Sequence, residues 1–350
     1  MKVAITADLH LAAKQDCPER YNALENIFGQ IAALGIENLL IAGDLFDKEF
    51  HNYSEFENLC RKYPKIQIHI IPGNHDANIS EKSIVGSNLH IYTIPTPVEI
   101  GSATFLLVPY KKTTKMSEQI AVAEEEIKGK DWFLVSHGDY YGGTKELNPR
   151  EAGTYMPLSR DNVAVFKPKA VFLGHIHKPI HWENVYYTGS PCGLDVTETG
   201  KRRFLICDTK DGSTKSQEVA TDVVYFDETF IIVPLVDEVP LLKSKIDDRI
   251  KGWGPAPSDY KKVVVRVKAT GYASDRSAIL KALEDGFTGF SYYQGTGPSI
   301  GELSSSPDVQ LNEIAKQTMD LIDELVWDFG GDEPDRELIT TKALEVIYGA

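Results

Sequence analysis

The stretch Glu37–Asp47, ENLLIAGDLFD, constrains the fold more than any other part of the sequence. Its apolar run Leu39–Ala42 predicts a buried strand, and Gly43 then forms a tight turn that presents Asp44 and Asp47. A strand that is apolar on both faces suits a sheet with helices packed against it. Functional side chains in such sheets collect where the strands end. We therefore expect Asp44 at the carboxyl edge of a sheet, and our hypothesis is that it bridges two metal ions.

The surrounding sequence predicts a layered α/β domain. Apolar strands are expected at residues 2–6 and 67–71, and amphipathic helices at 20–34 and 54–63. The order strand, helix, strand, helix, strand favours helices packed on a sheet. Beyond residue 90 the pattern is richer in β-structure. It predicts a helix at 116–127, strands at 98–100, 104–108, 132–135 and 171–173, and two closing strands, 184–188 and 202–208, joined by the turn at residues 189–191.

A polar run at residues 209–228 suggests a domain boundary, so we divide the chain into residues 1–225, 226–296 and 297–350. The middle part is a small α/β module, with strands expected at 229–235, 262–269 and 287–293 and helices at 241–251 and 275–285. Residues 295–307 are rich in Gly and Ser and are interpreted as a linker. The last part is then a linker followed by a tail with two amphipathic helices.

Composition excludes several classes of protein. The net charge of −14 argues against a broad basic face for nucleic acid. No run of 18 apolar residues is present, and Asp8 and His10 interrupt the first apolar stretch, so we expect neither a membrane span nor a signal peptide. The four cysteines form no C-x-x-C pair, which is typical of core thiols in a reducing, cytoplasmic compartment.

Side chains with metal-binding or acid–base chemistry follow five predicted strands. They are Asp8 and His10; Asp44 and Asp47; Asn74, His75 and Asp76; His137; and His175 and His177. Five of the nine histidines fall in these motifs, which core packing does not explain. Imidazoles, carboxylates and one amide oxygen together suit manganese, iron or zinc rather than calcium. Two such ions held by a shared carboxylate form the clamp that is used for phosphoryl transfer.

The motifs D-x-H, G-D-x-x-D, G-N-H-D, a lone His and G-H-x-H occur in this order over residues 3–208 and resemble the calcineurin-like metallophosphoesterase superfamily. The resemblance implies a two-sheet α/β sandwich flanked by helices, with a site for two divalent metal ions. It also implies that His75 protonates the leaving oxygen or stabilises its charge, and that Asp47 orients the His75 ring. The ligands that it implies are Asp8, His10 and His177 for one metal, Asn74, His137 and His175 for the other, and Asp44 as the bridge.

Four further segments, ADLHL, IAGDLFD, GHIHKP and YTGSP, resemble DNA double-strand-break repair nucleases of the SbcD type. That resemblance implies a manganese-dependent exonuclease and endonuclease acting on DNA ends and single strands in repair and recombination. It implies that residues 226–296 form a capping domain. The terminal helices would then bind an SMC-like ATPase of the SbcC type, and the core would form a homodimer. Some members of this family carry His instead of Asp at the position of Asp47.

Two alternatives use the same motifs differently. A phosphodiesterase or phosphatase acting on a small or lipid-linked phosphate would share the metal set, and the acidic composition favours it. A non-enzymatic scaffold would need no metal, and the complete ligand set argues against it. Three basic clusters could contact DNA, although a solvated face is the more usual explanation for each of them. They are Lys111, Lys112 and Lys115; Lys201, Arg202 and Arg203; and Lys243, Lys245, Arg249 and Lys251.

Overall fold

The computed structural model describes residues 1–48, 50–142, 153–234, 237–305, 308–327 and 335–348. The chain divides into two compact units. The first consists of Met1–Leu194 and Lys201–Val223, and the second of Asp195–Gly200 and Val224–Ala350. Each unit combines sheets with helices, which confirms the α/β class.

The first unit contains two six-stranded sheets and a short two-stranded one. Its strands, in chain order, are β1 (Lys2–Thr6), β2 (Asn38–Ala42), β3 (Gln67–Ile71), β4 (Leu89–Ile91), β5 (Thr96–Ile100), β6 (Ala103–Val108), β7 (Trp132–His137), β8 (Tyr140–Tyr141), β9 (Leu158–Ser159), β10 (Val171–Gly174), β11 (Ile180–Trp182), β12 (Val185–Tyr187), β13 (Arg203–Asp208) and β14 (Thr214–Glu218). Its helices are α1 (Pro18–Ala33), α2 (Ser54–Arg61), α3 (Met116–Val122), α4 (Glu124–Ile127) and α5 (Arg160–Phe166).

The two large sheets share one design. The first has the order β14-β13-β1-β2-β3-β4, and the second has the order β11-β12-β10-β7-β6-β5. Four neighbouring strands are parallel in each sheet, namely β1 to β4 in the first and β6, β7, β10 and β12 in the second. Parallel strands end at the same edge of a sheet, so the loops that follow them are brought together.

Apolar side chains join the two sheets face to face. Val3 and Ile5 of β1 belong to the same buried cluster as Phe105, Phe133 and Phe172 of the second sheet. The Phe133 ring stacks on that of Phe105 with a centroid distance of 4.8 Å. On its other face, the first sheet is covered by helix α1, and Ala4 of β1 belongs to that cluster because successive side chains of a strand lie on opposite faces. The predicted sandwich flanked by helices is therefore confirmed.

Two expectations about local structure in the first unit were wrong. The predicted closing strands occur as β12 and β13, but they lie in different sheets. They are not joined by one turn, because residues 195–200 belong to the second unit, where Thr199 forms a bridge to Tyr225. The helix expected at 116–127 is divided into α3 and α4 at Ala123.

The second unit has an all-parallel sheet. Its strands are β15 (Val224–Ile232), β16 (Val263–Ala273), β17 (Ser291–Tyr292) and β18 (Ser299–Ser305). Its helices are α6 (Glu238–Gly252), α7 (Arg276–Gly286), α8 (Val309–Glu324) and α9 (Arg336–Tyr348), with 3-10 turns at Pro257–Lys262 and Tyr293–Gly295. Asp275 caps α7 by accepting hydrogen bonds from the Ser277 and Ala278 backbone amides.

The interpretation of residues 295–307 as a linker was wrong for the part that forms β18. This strand pairs with β16, and its Leu303 is buried in the core of the unit. The Gly- and Ser-rich composition conceals the strand because few of its side chains reach that core. The strand expected at 287–293 is correspondingly short, since Phe287 is buried as the cap residue of α7.

The terminal helices pack on the sheet of their own unit. Phe230 and Ile232 of β15 lie in the core with α6 and α7, whereas the alternate residue Ile231 lies with α8 and α9. Leu344 of α9 is 2% exposed in this second cluster, and Ala315 of α8 is fully buried there. The two helices nevertheless leave large apolar side chains uncovered, including Ile314, Leu321, Leu325, Val326, Leu338 and Val346.

Two expectations from composition can be compared with the structure. All four cysteines are buried and reduced, as core thiols should be. Among the described residues, no helix combines the length and the hydropathy needed to cross a bilayer.

The row of stacked rings on the inner face of the second sheet, in which Phe133 lies between Phe105 and Phe172, leads to a stability prediction. Phe133→Ala should lower the free energy of unfolding by about 3–5 kcal/mol, because it leaves a cavity between two stacked rings. Guanidinium denaturation measures the change, and Val165→Ala is the control because Val165 is 72% exposed. Equal unfolding midpoints for the two variants would contradict the packing described here.

Candidate metal centre

The predicted site residues lie where five parallel strands end. Asp8, Asp44 and Asn74 follow β1, β2 and β3 of the first sheet. His137 is the last residue of β7, and His175 directly follows β10 of the second sheet. The site is therefore built from the carboxyl edges of both sheets.

One half of the site contains Asp8, His10 and His177. Their ligand atoms all lie within 4.8 Å of one another. The Nε2 atoms of His10 and His177 face each other at 3.1 Å, although 167 residues separate them in the sequence. Side chains from two different sheets thus direct their donor atoms to one point.

The other half contains Asn74, His137 and His175. Asn74 Oδ1 lies 2.9 Å from His137 Nε2 and 3.2 Å from His175 Nδ1. Asp44 Oδ2 lies between the two halves, 3.6 Å from His10 Nε2 and 3.4 Å from His137 Nε2. The structure therefore brings all seven predicted ligands together, with Asp44 next to both groups.

Two observations show that these residues fit divalent cations. Asp8 is fully buried, and its Oδ2 atom has no hydrogen-bond partner among the described residues. His137 donates its Nδ1–H to the Ala42 carbonyl at 3.0 Å, so its Nε2 atom faces Asn74 and Asp44. Such an outer hydrogen bond fixes the ring of a metal-binding histidine. Four imidazoles, two carboxylates and one amide match a borderline divalent metal.

The carboxylates determine the charge state of the imidazoles. Burial opposes protonation of His137, but Asp44 and Asp8 outweigh it and raise the pKa of His137 to about 9. Burial also raises the pKa of Asp8 above its usual range. Although burial acts the same way on Asp44, His137 and His10 hold the pKa of Asp44 well below its usual range. Without a cation, a proton on His137 therefore balances part of the buried negative charge.

Four of the predicted ligands have an unusual backbone conformation. Asp8, His10, Asp44 and His175 have φ angles of 54°, 45°, 49° and 94°, a region that residues other than glycine rarely occupy. Hydrogen bonds hold them there, since the Asp8 N–H donates to the Gly43 carbonyl and the His10 N–H to the Asp44 carbonyl. The His175 N–H donates to the Asp8 carboxylate at 2.8 Å. Strain of this kind persists where the surrounding structure enforces it, and it is concentrated at functional sites.

Two glycines make room for the ligands. Gly43 has a φ of +88°, and a Cβ atom there would lie 2.3 Å from His137 Nδ1. A Cβ atom on Gly73 would lie 2.1 Å from Asp44 Oδ1. The G-D and G-N-H-D motifs therefore require glycine because a ligand side chain occupies the adjacent space.

His75 and Asp47 form a pair at the edge of the site, as the sequence predicted. His75 Nδ1–H donates to Asp47 Oδ1 at 3.0 Å, and both side chains are partly exposed. The imidazoles of His10 and His75 hold the pKa of Asp47 well below its usual range, so Asp47 remains a carboxylate. Arg20 lies 3.9 Å from Asp47 Oδ2 and donates to the His10 carbonyl.

Several residues that support the ligands were not predicted. Arg202 is 3% exposed and donates to the His177 carbonyl and to both the carbonyl and the hydroxyl of Ser190. Asp139 is buried with its Oδ1 atom 3.6 Å from His175 Nε2. The spacing His137-x-Asp139 is the D-x-H pattern in reverse order and could have indicated Asp139. Arg202 gave no such signal.

Asp76 connects two of the site loops. Its carboxylate accepts hydrogen bonds from the Phe46 amide at 3.1 Å and from the Gly73 amide at 2.7 Å. Asp76 therefore ties the loop after β2 to the loop after β3.

Comparison with known proteins gives one strong match. The family model for calcineurin-like phosphoesterases matches residues 1–179, which is just over half of the 350 residues. No curated protein sequence matches with significant similarity.

Similar solved structures cover 63% of this chain. One is a protein of Thermus thermophilus, with 14% identity, a TM-score of 0.43 and 99% of its own chain covered. Another is an archaeal phosphodiesterase, with 15% identity, a TM-score of 0.35 and 100% of its chain covered. A third is a purple acid phosphatase from yellow lupin (Lupinus luteus) seeds, with 13% identity, a TM-score of 0.44 and 52% of its chain covered.

The pKa of His137 leads to a prediction about metal uptake. Since Asp44 and Asp8 raise that pKa to about 9, binding of Mn²⁺ at neutral pH must displace a proton. Affinity should therefore increase as the pH rises and level off above about pH 9. Calorimetry in buffers of different ionisation enthalpy measures the released protons. A binding constant that does not change between neutral pH and pH 9 would contradict this electrostatic account.

Arg202 leads to a second prediction. Arg202→Met keeps most of the side-chain volume but removes the buried guanidinium that donates to the His177 and Ser190 carbonyls, which should destabilise the fold by about 1–3 kcal/mol. It should also weaken Mn²⁺ binding by about 10- to 100-fold, because His177 loses its support. The matched control is Arg203→Met, since Arg203 is the exposed neighbour. Unchanged metal affinity in Arg202→Met would show that Arg202 does not position the ligand.

Proposed function

The chain belongs to the calcineurin-like phosphoesterase family, whose members are metal-dependent phosphoester hydrolases with a dinuclear divalent metal site, and on this premise we propose that it is a manganese-dependent DNA nuclease of the double-strand-break repair type. Phosphodiester hydrolysis is supported by the convergence of seven ligand side chains beside the His75–Asp47 pair. The choice of DNA is supported by the sequence segments ADLHL, IAGDLFD, GHIHKP and YTGSP.

In this proposal, the two halves of the site hold one cation each. Asp8, His10 and His177 would bind the first and Asn74, His137 and His175 the second, while Asp44 contributes to both. When bound, the cations would supply Lewis acidity toward the phosphate and a nucleophile at neutral pH.

His75 and Asp47 handle the leaving group. Asp47 accepts the Nδ1–H of His75, which leaves Nε2 as the atom that can give a proton to the departing oxygen. The Asp47 carboxylate also stabilises a charged His75 ring, and Arg20 beside it keeps the carboxylate in place. His75 is partly exposed, as a group that meets substrate must be.

We also propose that the terminal helices bind an SMC-like ATPase. Support comes from the apolar side chains that α8 and α9 leave uncovered, of which Leu321 is 68%, Leu338 59% and Val346 82% exposed. Apolar residues that are exposed together on helices are typical of protein interaction sites.

The decisive test uses purified protein with Mn²⁺ on two substrates in parallel. Hydrolysis of bis-p-nitrophenyl phosphate reports phosphodiesterase activity, and labelled single-stranded, hairpin and duplex DNA reports nuclease activity. We expect both activities. Hydrolysis of the small diester with no cleavage of any DNA, with or without the ATPase, would instead favour the alternative of a small or lipid-linked phosphate substrate, which the net charge of −14 also suits.

Two variants separate the proposed roles. Asp44→Asn should abolish both activities and lower the metal content, because it removes a charge shared by the two halves. His75→Ala should keep the metal content and lose on the order of 10²- to 10⁴-fold in DNA cleavage, as expected for a general acid. The loss of activity in His75→Ala should be much smaller on bis-p-nitrophenyl phosphate, because its leaving group, p-nitrophenolate, needs no proton. An equal loss on both substrates would refute the role of His75.

A further inference from the structure

A short loop, residues 109–115, leaves the end of β6 beside the metal centre; we call it the β6–α3 loop. The Tyr110 N–H donates to the Pro72 carbonyl at 3.0 Å, directly before the G-N-H-D segment. The Tyr110 ring lies edge-on to the His137 ring, with a centroid distance of 6.2 Å. The loop therefore adjoins the half of the site that contains Asn74 and His137.

The β6–α3 loop has a fixed shape. The Lys111 N–H donates to Met156 Sδ at 3.3 Å, and the Met116 N–H donates to the Pro157 carbonyl at 3.1 Å. Within the loop, the Thr114 hydroxyl donates to the Lys111 carbonyl at 2.9 Å. A loop that is held at both ends loses little conformational freedom when a ligand binds to it.

The loop concentrates positive charge that the protein does not neutralise. Lys111, Lys112 and Lys115 are exposed, and none of them forms an ion pair with any residue that the structure describes. Some of the other exposed lysines of this unit are paired, as Lys128 is with Glu125 and Lys130 with Glu99. Three unpaired cations in five residues therefore stand out in a chain with a net charge of −14.

From this placement, we infer that the β6–α3 loop binds a single strand of DNA next to the cleaved bond, with Tyr110 stacking on a base and the lysines contacting phosphates. This inference rests on the proposed nuclease function and names the part of the surface that selects a polymer. Tyr110 is partly exposed, and an aromatic ring beside cations is the combination by which proteins bind unpaired bases. A small phosphodiester needs neither contact.

The test measures binding without catalysis. Fluorescence anisotropy of a fluorescein-labelled oligo-dT strand, about 20 nucleotides long so that it covers a full binding site, is recorded in EDTA over a range of salt concentrations. The triple variant Lys111→Ala, Lys112→Ala, Lys115→Ala should bind about 10- to 100-fold more weakly. The slope of log affinity against log salt concentration should be smaller in magnitude by about 2, because three phosphate contacts are lost.

A matched control removes the same charge elsewhere in the unit. Lys65, Lys128 and Lys130 are exposed and precede β3 and β7, so they lie at the opposite edge of the sheets. Their triple alanine variant should bind within about twofold of the parent chain, with a small loss of long-range attraction. Equal weakening in the two triple variants would overturn the inference.

Tyr110 needs a separate comparison. Tyr110→Leu should weaken oligo-dT binding about tenfold and leave binding of dextran sulfate unchanged, because that polyanion has no bases to stack. Equal loss for both polyanions, or for neither, would overturn the stacking role.

The two proposals fail in distinguishable ways. A parent chain that hydrolyses bis-p-nitrophenyl phosphate but does not bind oligo-dT would overturn the strand-binding loop and leave the phosphodiesterase intact. A parent chain that binds oligo-dT through Lys111, Lys112 and Lys115 but cleaves no phosphodiester would overturn the nuclease and support the loop as a binding surface.

Discussion

The structure depends on two buried carboxylates that lie close together. Oxygen atoms of Asp8 and Asp44 and a ring nitrogen of His137 are within 4.8 Å of one another, and these three side chains are almost completely excluded from solvent. Two negative charges in such a place are costly unless positive charge balances them. Imidazolium protons can supply that charge, as the raised pKa of His137 shows. A pair of divalent cations supplies it better, which explains why all the surrounding donor atoms converge.

The fold supplies the geometry that these carboxylates require. The parallel strands of the two sheets place the ends of β1, β2, β3, β7 and β10 at one edge, so that residues from distant parts of the chain meet. The left-handed conformations of Asp8, His10, Asp44 and His175 then turn the chain sharply at each strand end. Crossed hydrogen bonds between loops, such as His175 N–H to Asp8 and His75 N–H to Asp44, keep these conformations in place. The strain is thus maintained by the same contacts that orient the ligands.

The sequence predicted the parts of this arrangement that are encoded locally. Each ligand motif follows an apolar strand directly, so strand and motif could be recognised within about ten residues, and the order of the motifs identified the core. The supporting residues Arg20 and Arg202 were missed because they act through contacts whose partners only the fold brings together. Arg202 reaches the His177 carbonyl across 25 residues. Strand β18 was missed for a different reason, since only Leu303 is buried among its seven residues and the alternation was too weak to recognise.

In the proposed centre, Asp44 would be shared by two cations held at the carboxyl edges of the two sheets. Crystals grown with excess Mn²⁺ and measured on both sides of the manganese absorption edge test it directly. The account predicts two anomalous peaks, one beside Asp8, His10 and His177 and one beside Asn74, His137 and His175, with the Asp44 carboxylate between them. A single peak away from Asp44, or none, would contradict it.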